Sequence, residues 1–267
     1  MRIRIIFQLK NRGGYVPFHH QYLLSRMIRG IVLNGKNEDF KFFELYNFSG
    51  IKGQTKVSRR GLHFYSSKVT VVFSCVNKDF VDYFLTQLFK YPEINIGNLE
   101  LVPEYVEKEE TMELSTEHKF ISISPIVLKT PSFNDADGKK FIPPESDEFS
   151  DLLYESTMNR MEKIGIYNAE QLASFYKFQV VPDKGYIRKL TEAQKKFARI
   201  YPVYDQDVKY EVRGYTVPFT LYAAKEVQEF LFNTGIGSFT HKGFGMLDLA
   251  HSDPNKRAVK YEFNYVS

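Results

Sequence analysis

Between residues 235 and 245 the chain reads Gly-Ile-Gly-Ser-Phe-Thr-His-Lys-Gly-Phe-Gly. Gly235, Gly237, Gly243 and Gly245 surround His241 and Lys242. Glycine reaches positive φ and lets a second backbone come close. A loop of this composition can aim several N–H groups at a phosphate, and Lys242 adds a positive charge. The competing reading is a hairpin that only packs sheets together. Phe244 offers a face for a base, or a ring for the core. A second group of chemically capable residues lies near the start. His19 and His20 are adjacent, just before a helical pattern. Histidine gives and takes protons near neutral pH. Arg29, Lys52, Lys56, Arg59 and Arg60 follow, and cations of this kind stabilise charge building on a phosphate. His63 is a reserve acid or base, and as a lone histidine its ordinary role is packing.

The charge distribution points the same way. The net charge is +4, yet the first seventy residues hold thirteen Lys/Arg against three Asp/Glu, a balance of +10, which leaves −6 for the remainder. Such asymmetry is the electrostatic footprint of an anionic partner, nucleic acid above all. The single cysteine, Cys75, excludes an intrachain disulfide and a multi-cysteine metal site. No metal or other cofactor is expected. No apolar run is long enough to span a bilayer, and Met1-Arg-Ile-Arg-Ile-Ile-Phe lacks the apolar stretch of a signal peptide. A cytoplasmic protein without a membrane partner is the expectation.

The elements that must position these residues follow from hydrophobic spacing. Arg2 to Leu9 alternates as a strand. After Pro17, the residues Tyr22, Leu23, Met27, Ile28 and Ile31 recur at helical spacing, and Asn34-Gly-Lys-Asn ends the helix. Leu45 to Lys56 and Leu62 to Ser74 read as strands joined by an Arg59-Arg-Gly turn. If the first is regular, Lys52 and Lys56 share a face. Asp79 to Phe89 reads as a helix and Ile94 to Val106 as a strand, so the order is β-α-β-β-α-β. Glu107 to Glu117 is acidic and polar, and sets a boundary between residues 1–110 and 111–267. The order then repeats: a strand at Phe120 to Leu128, a helix at Ser146 to Ile164 with another at Ala169 to Phe178, and long strands at Lys195 to Tyr204 and Val208 to Phe219. A helix at Ala223 to Phe232, a strand at Gly243 to Leu249 and a last strand at Ala258 to Tyr265 complete it. The expected class is α+β, with two tandem ferredoxin-like domains.

Four landmarks carry a resemblance: Gly235-x-Gly-x5-Gly-Phe-Gly245, Val16-Pro-Phe-His-His-Gln-Tyr-Leu-Leu-Ser-Arg-Met-Ile28, Ser122-Ile-Ser-Pro-Ile126 and Tyr46-Asn-Phe-Ser49. In this order they resemble the CRISPR-associated repeat-cleaving endoribonucleases of the repeat-associated mysterious protein superfamily. The resemblance spans nearly the whole chain. It implies tandem ferredoxin-like domains that bind CRISPR precursor and repeat RNA and cut within the repeat without metal. The 2′-hydroxyl attacks the adjacent phosphorus, leaving a 2′,3′-cyclic phosphate and a 5′-hydroxyl. The family's use of a histidine helped by tyrosine, lysine or arginine makes His20, with His19, Arg29 and Lys52, the catalytic candidates among the residues of the basic half. It implies Lys56, Arg59, Arg60 and the loop residues Gly235, Gly237, His241, Lys242, Gly243, Phe244 and Gly245 as RNA contacts. Effector-complex subunits and a second copy of the chain are further candidate partners. The chain departs from the best-known archaeal pattern in two places. Arg29 stands where a tyrosine follows the isoleucine of the first helix, and Gly30 to Leu45 contains no histidine. A repeat-binding subunit that does not cut is the alternative reading. A nucleotide-binding metabolic domain fares worse, because the glycine loop leads into a strand and lacks the Walker ending.

Overall fold

A computed structural model describes residues 1–110, 112–130, 137–205 and 208–263. The first part of the chain forms β1 (Arg2–Leu9), β2 (Tyr15–Val16), α1 (Gln21–Asn34), β3 (Tyr46–Phe48), β4 (Thr55–Ser58), β5 (Gly61–Phe64), β6 (Lys68–Cys75), α2 (Lys78–Leu88), β7 (Ile94–Ile96) and β8 (Leu99–Glu109). Next come β9 (Glu117–Ser122), β10 (Ile126–Val127), α3 (Asp147–Ile164), α4 (Ala169–Ser174), β11 (Phe178–Pro182), α5 (Lys184–Glu192), β12 (Ala198–Asp205), β13 (Val208–Tyr215), β14 (Phe219–Ala223), α6 (Lys225–Thr234), β15 (Leu247–Leu249) and β16 (Ala258–Lys260). Two units result. One holds residues 1–111, 241–243 and the chain from Asp253 onward; the other holds 112–240 and 244–252.

In the first unit the main sheet runs β16-β8-β1-β6-β3, with β7 also on β8. The elements β1-α1-β3-β6-α2-β8 are therefore a ferredoxin-like fold. Successive apolar residues of β1 pair antiparallel with both neighbours, Ile5 opposite Val71 on one side and Val106 on the other. Helix α1 packs on the core through Leu24, Ile28, Ile31 and Val32, the i, i+4, i+7, i+8 stripe. Leu23 and Met27 stay partly exposed beside it. Helix α2 starts at Asn77, whose side chain accepts from the Phe80 amide at 3.0 Å, and buries Phe80, Phe84 and Leu88.

The second unit repeats the plan. Its four-stranded sheet runs β11-β14-β9-β15, so β9-α3-β11-β14-α6-β15 is again ferredoxin-like. Each unit also carries a hairpin between its second and third ferredoxin strands. The hairpin is β4-β5 in one and β12-β13 in the other. Each joins a two-residue strand that follows the first ferredoxin strand, giving sheets β2-β5-β4 and β10-β13-β12.

Several elements differ from the sequence expectation. The two long strands of the second unit are the hairpin, and the ferredoxin positions belong to the shorter β11 and β14. The expected strand Leu45 to Lys56 breaks into β3 and β4. Lys52 is bridged to Thr70 of β6, whereas Lys56 pairs with His63 of β5, so the two lysines sit in different sheets. The expected strand Gly243 to Leu249 is extended only from Leu247. The last strand is Ala258–Lys260, and it joins β8 of the first unit; residues 264–265 of the expected strand lie outside the described residues. Arg2, Glu109 and Arg257 hold this return inside the unit, with Arg2 Nε 2.9 Å and Arg257 Nη1 3.7 Å from Glu109 Oε2. Among the described residues no helix is long and apolar enough to cross a membrane.

Candidate nucleic-acid interface

The β4-β5 hairpin gathers cations in the first unit. Lys56, Arg59 and Arg60 of the hairpin are exposed, as is Lys52, which sits beside β6 of the main sheet. Lys56 Nζ lies 5.0 Å from the centroid of the half-exposed Tyr65 ring, and Val57 beside it is 73% exposed. A short hairpin of cations with an open aromatic and aliphatic face suits a phosphodiester chain with accessible bases. Its base is firm. His63 Nε2 lies 2.8 Å from Ser58 Oγ, its Nδ1 2.9 Å from the Gly13 carbonyl, and its ring stacks on Tyr15. His63 is thereby a packing residue.

His20, expected as a catalytic residue, has a comparable fate. It is 4% exposed. The Ile51 amide donates to Nε2 at 3.0 Å, so the proton sits on Nδ1, 3.1 Å from the Pro17 carbonyl oxygen. Both nitrogens are engaged by backbone, and burial holds the pKa below the usual histidine range. A ring so held ties the start of α1 to the chain leaving β3 and has no nitrogen left for a substrate hydroxyl. His19 is half-buried next to it.

Arg29 enters a different cluster. Its guanidinium donates to the Lys41 carbonyl and lies 5.8 Å from the exposed Phe42 ring. It also acts on Tyr46. Burial is the main force raising that phenol's pKa, Arg29 opposes the rise, and Glu44 adds to it. Glu44 Oε1 in turn lies 3.5 Å from His241 Nε2. Gly243 lies against the Phe48 ring, where an added Cβ would stand 2.5 Å from a ring carbon. Residues 241–243 thus lie along β3, and the first unit brings Arg29, Glu44, His241 and Lys242 to one edge. Glu44 was missed by sequence reasoning. The signal available was its place in the stretch where the family pattern has a histidine, but a carboxylate there has no meaning until its partner from the loop is known.

The glycine loop is packed, not open. Gly235, Gly237, Gly243 and Gly245 are buried. The amides of Gly235, Ile236, Ser238, Phe244 and Gly245 donate to carbonyls of Leu231, Gly245, Val127, Phe239 and Pro125. Gly235 and Gly245 therefore do not present N–H groups to a phosphate. Gly245 has φ +68°, and a Cβ there would fall 1.8 Å from the Ile236 oxygen. Phe244 is 2% exposed with its ring edge-on to Tyr201, which removes it as a stacking platform. The accessible part of the loop is Ser238, Phe239, His241 and Lys242. Helix α3 fixes the start of the loop. Ser156 Oγ donates to the Gly237 carbonyl at 3.0 Å. Arg160 donates to the carbonyls of Gly235 (2.8 Å) and Thr234 (3.3 Å) and to Thr240 Oγ1 (3.3 Å). Enclosure of its guanidinium pulls the pKa down to about 10, so it remains charged at neutrality. It faces the C-terminus of α6, where the helix dipole favours a cation.

Two ferredoxin-like units, the first with a cationic hairpin, form an architecture that RNA-recognition proteins share. Residues 107–249 match the family described as CRISPR associated protein Cas6, C-terminal, and the chain belongs to the Cas6 family. It is 22% identical over 256 residues to a putative CRISPR-associated endoribonuclease-like protein Cas6 of Pyrococcus furiosus, covering 93% of this chain and 98% of that one. The solved structure of a Cas6-related gene product of Pyrococcus furiosus superposes with a TM-score of 0.75 at 21% identity, covering 95% of this chain and 99% of the other. A structure described as an RAMP protein binding different RNA substrates gives 0.75 at 21% identity, covering 94% and 100%. At this identity the structures establish the shared fold.

Proposed function

We propose that the chain binds CRISPR repeat RNA and cleaves it without metal, by attack of the 2′-hydroxyl on the adjacent phosphorus to leave a 2′,3′-cyclic phosphate and a 5′-hydroxyl. The observation that carries the reading is the exposed cationic hairpin in a member of the Cas6 family. Lys56, Arg59 and Arg60 track the backbone there, as Lys52 does from beside β6 and Lys242 from the loop. With His20 and His63 held by their neighbours, His241 beside Glu44 is the proton-transfer residue that the geometry favours. A carboxylate 3.5 Å away orients the ring, and an imidazole is a residue type suited to protonate the departing 5′-oxygen. Arg29 and Lys52 stabilise the charge of the transition state. His19 is the second histidine available.

A repeat-binding protein that does not cut is the second reading. It is favoured by the engagement of both His20 ring nitrogens, by Arg29, which stands where the family pattern has a tyrosine, and by the lack of a histidine from Gly30 to Leu45. One assay separates the two. Labelled cognate repeat RNA is incubated with the protein in EDTA, with and without a single 2′-deoxy substitution at the scissile nucleotide. A discrete cut abolished by the deoxy substitution supports cleavage. Tight binding with intact RNA across authentic repeats supports the binder and removes the catalytic roles given to His241 and Arg29.

A further inference from the structure

Leu23, Met27, Gly30 and Asn34 of α1 form an i, i+4, i+7, i+11 stripe beside the face that packs on the sheet. They form one wall of a groove of about 500 Å³. Tyr91, the exposed Glu93 and the β7 residues Ile94 and Asn95 form the other. The groove lies wholly within the first unit. Three features leave it open to a ligand. Gly30 sits in the middle of a helix, where glycine is disfavoured relative to alanine, yet a Cβ there would meet nothing within 4 Å. Packing within the chain does not demand the glycine, and its effect is to leave the wall bare to the backbone. Among the described residues, Arg26 and Asn95, both exposed at the groove, make no side-chain hydrogen bond or ion pair. Asn34 Nδ2 donates to the Tyr91 hydroxyl oxygen at 2.8 Å, which fixes the direction of its own carbonyl oxygen and leaves the Tyr91 O–H to donate.

We propose that this groove holds one unstacked base of single-stranded RNA. The inference rests on the RNA-binding reading above and extends it to a base-reading site. A base has two apolar faces and a rim of donors and acceptors. Leu23, Met27 and Ile94 meet a face, while the amide groups of Asn34 and Asn95 meet the rim. Arg26 meets the adjoining phosphate. Its side chain leaves α1 about 60° around the helix axis from Arg29 at 100° per residue. A strand held at Arg29 therefore passes the mouth of the groove. The excess of +10 in the first seventy residues includes the α1 wall, and it favours an anionic occupant over a helix from another protein, with the phosphate on the Arg26 side and away from Glu93.

Gly30→Leu fills the groove without removing a charge, and leucine is a strong helix former, so the fold is retained. The expected result is a loss of about tenfold or more in affinity for single-stranded repeat RNA, of the order of one lost base contact. The salt dependence of binding stays unchanged and thermal stability is preserved. Arg26→Ala is expected to weaken binding and to lower the salt slope by about one. Repeat RNA carrying single 4-thiouridines should cross-link to peptides of α1 and β7 in wild type and not in Gly30→Leu. Unchanged affinity in Gly30→Leu, or cross-links only to the hairpin and loop, overturns the site while leaving RNA binding itself standing. Unchanged affinity with a changed molecular mass assigns the groove to a second copy of the chain and likewise overturns it. Absence of any repeat binding by wild type, with Arg59→Ala and Lys242→Ala as controls, defeats the site together with the reading beneath it.

Discussion

Replacing His20 with alanine separates structure from catalysis at the residue where the two readings diverge. The Ile51 amide donates to Nε2 from a buried position, and the substitution leaves that N–H without an acceptor. Such a loss costs about 1–3 kcal/mol, and the Pro17 carbonyl loses a neutral bond worth about 1 kcal/mol. The expected destabilisation is about 3 kcal/mol before any cavity term, or roughly 6–12 °C in the first unit's melting temperature. The pH dependence gives an independent check. The native ring stays neutral because burial lowers its pKa, whereas the unfolded ring titrates near about 6.5. Below that value the unfolded chain takes up a proton that the native state refuses. Stability contributed by His20 is therefore full above about pH 6.5 and declines as the pH falls toward the depressed native value. Thermal melts of wild type and His20→Ala from pH 5 to 8, beside single-turnover cleavage and RNA affinity at a temperature where both proteins are folded, make the measurement. The variant should melt lower and lose part of the acid-side slope, with cleavage per folded molecule unchanged. An unaltered melting temperature together with lost cleavage would refute the structural reading and return His20 to the chemistry.

Other expected outcomes follow from the packing of the loop. Gly245→Ala forces a Cβ onto the Ile236 oxygen at a positive φ, so it should cost more than about 3 kcal/mol and open residues 236–246 to proteolysis; a wild-type melt would show that the loop backbone gives way. Arg160→Met removes the donors to the Thr234 and Gly235 carbonyls and should lower the second unit's stability by about 2 kcal/mol or more. Amide hydrogen exchange should then rise at the end of α6 and in the loop, and unchanged exchange there would refute the role of Arg160.

The sequence made the ferredoxin-like order legible because its helices are long and strongly amphipathic. The apolar residues of α2 and the Val227, Phe230 and Leu231 set of α6 leave little choice of face. It misled where length was taken as rank. β12 and β13 give the strongest strand pattern in the second half, yet long alternating strands are also what an exposed hairpin needs. β11 is five residues long and ends in Pro182, too short to register beside them. The candidate site was half legible for a related reason. Exposed cations such as Arg59 and Arg60 follow from a turn signal that is local in sequence. The role of a histidine depends on what its two nitrogens meet, and those partners are distant. His20 finds Ile51 thirty-one residues on, and His241 finds Glu44 almost two hundred residues back. The glycine loop shows the same limit from the other side. Its composition fits both an anion nest and a tight crossing, and only the carbonyls of Leu231, Gly245, Val127, Phe239 and Pro125 decide that five of its amides are already spent. Charge on this loop is therefore delivered by a side chain, that of Lys242. Lys242→Ala should then weaken RNA binding and flatten its salt dependence, while substitutions at Gly235 or Gly245 should act first on folding.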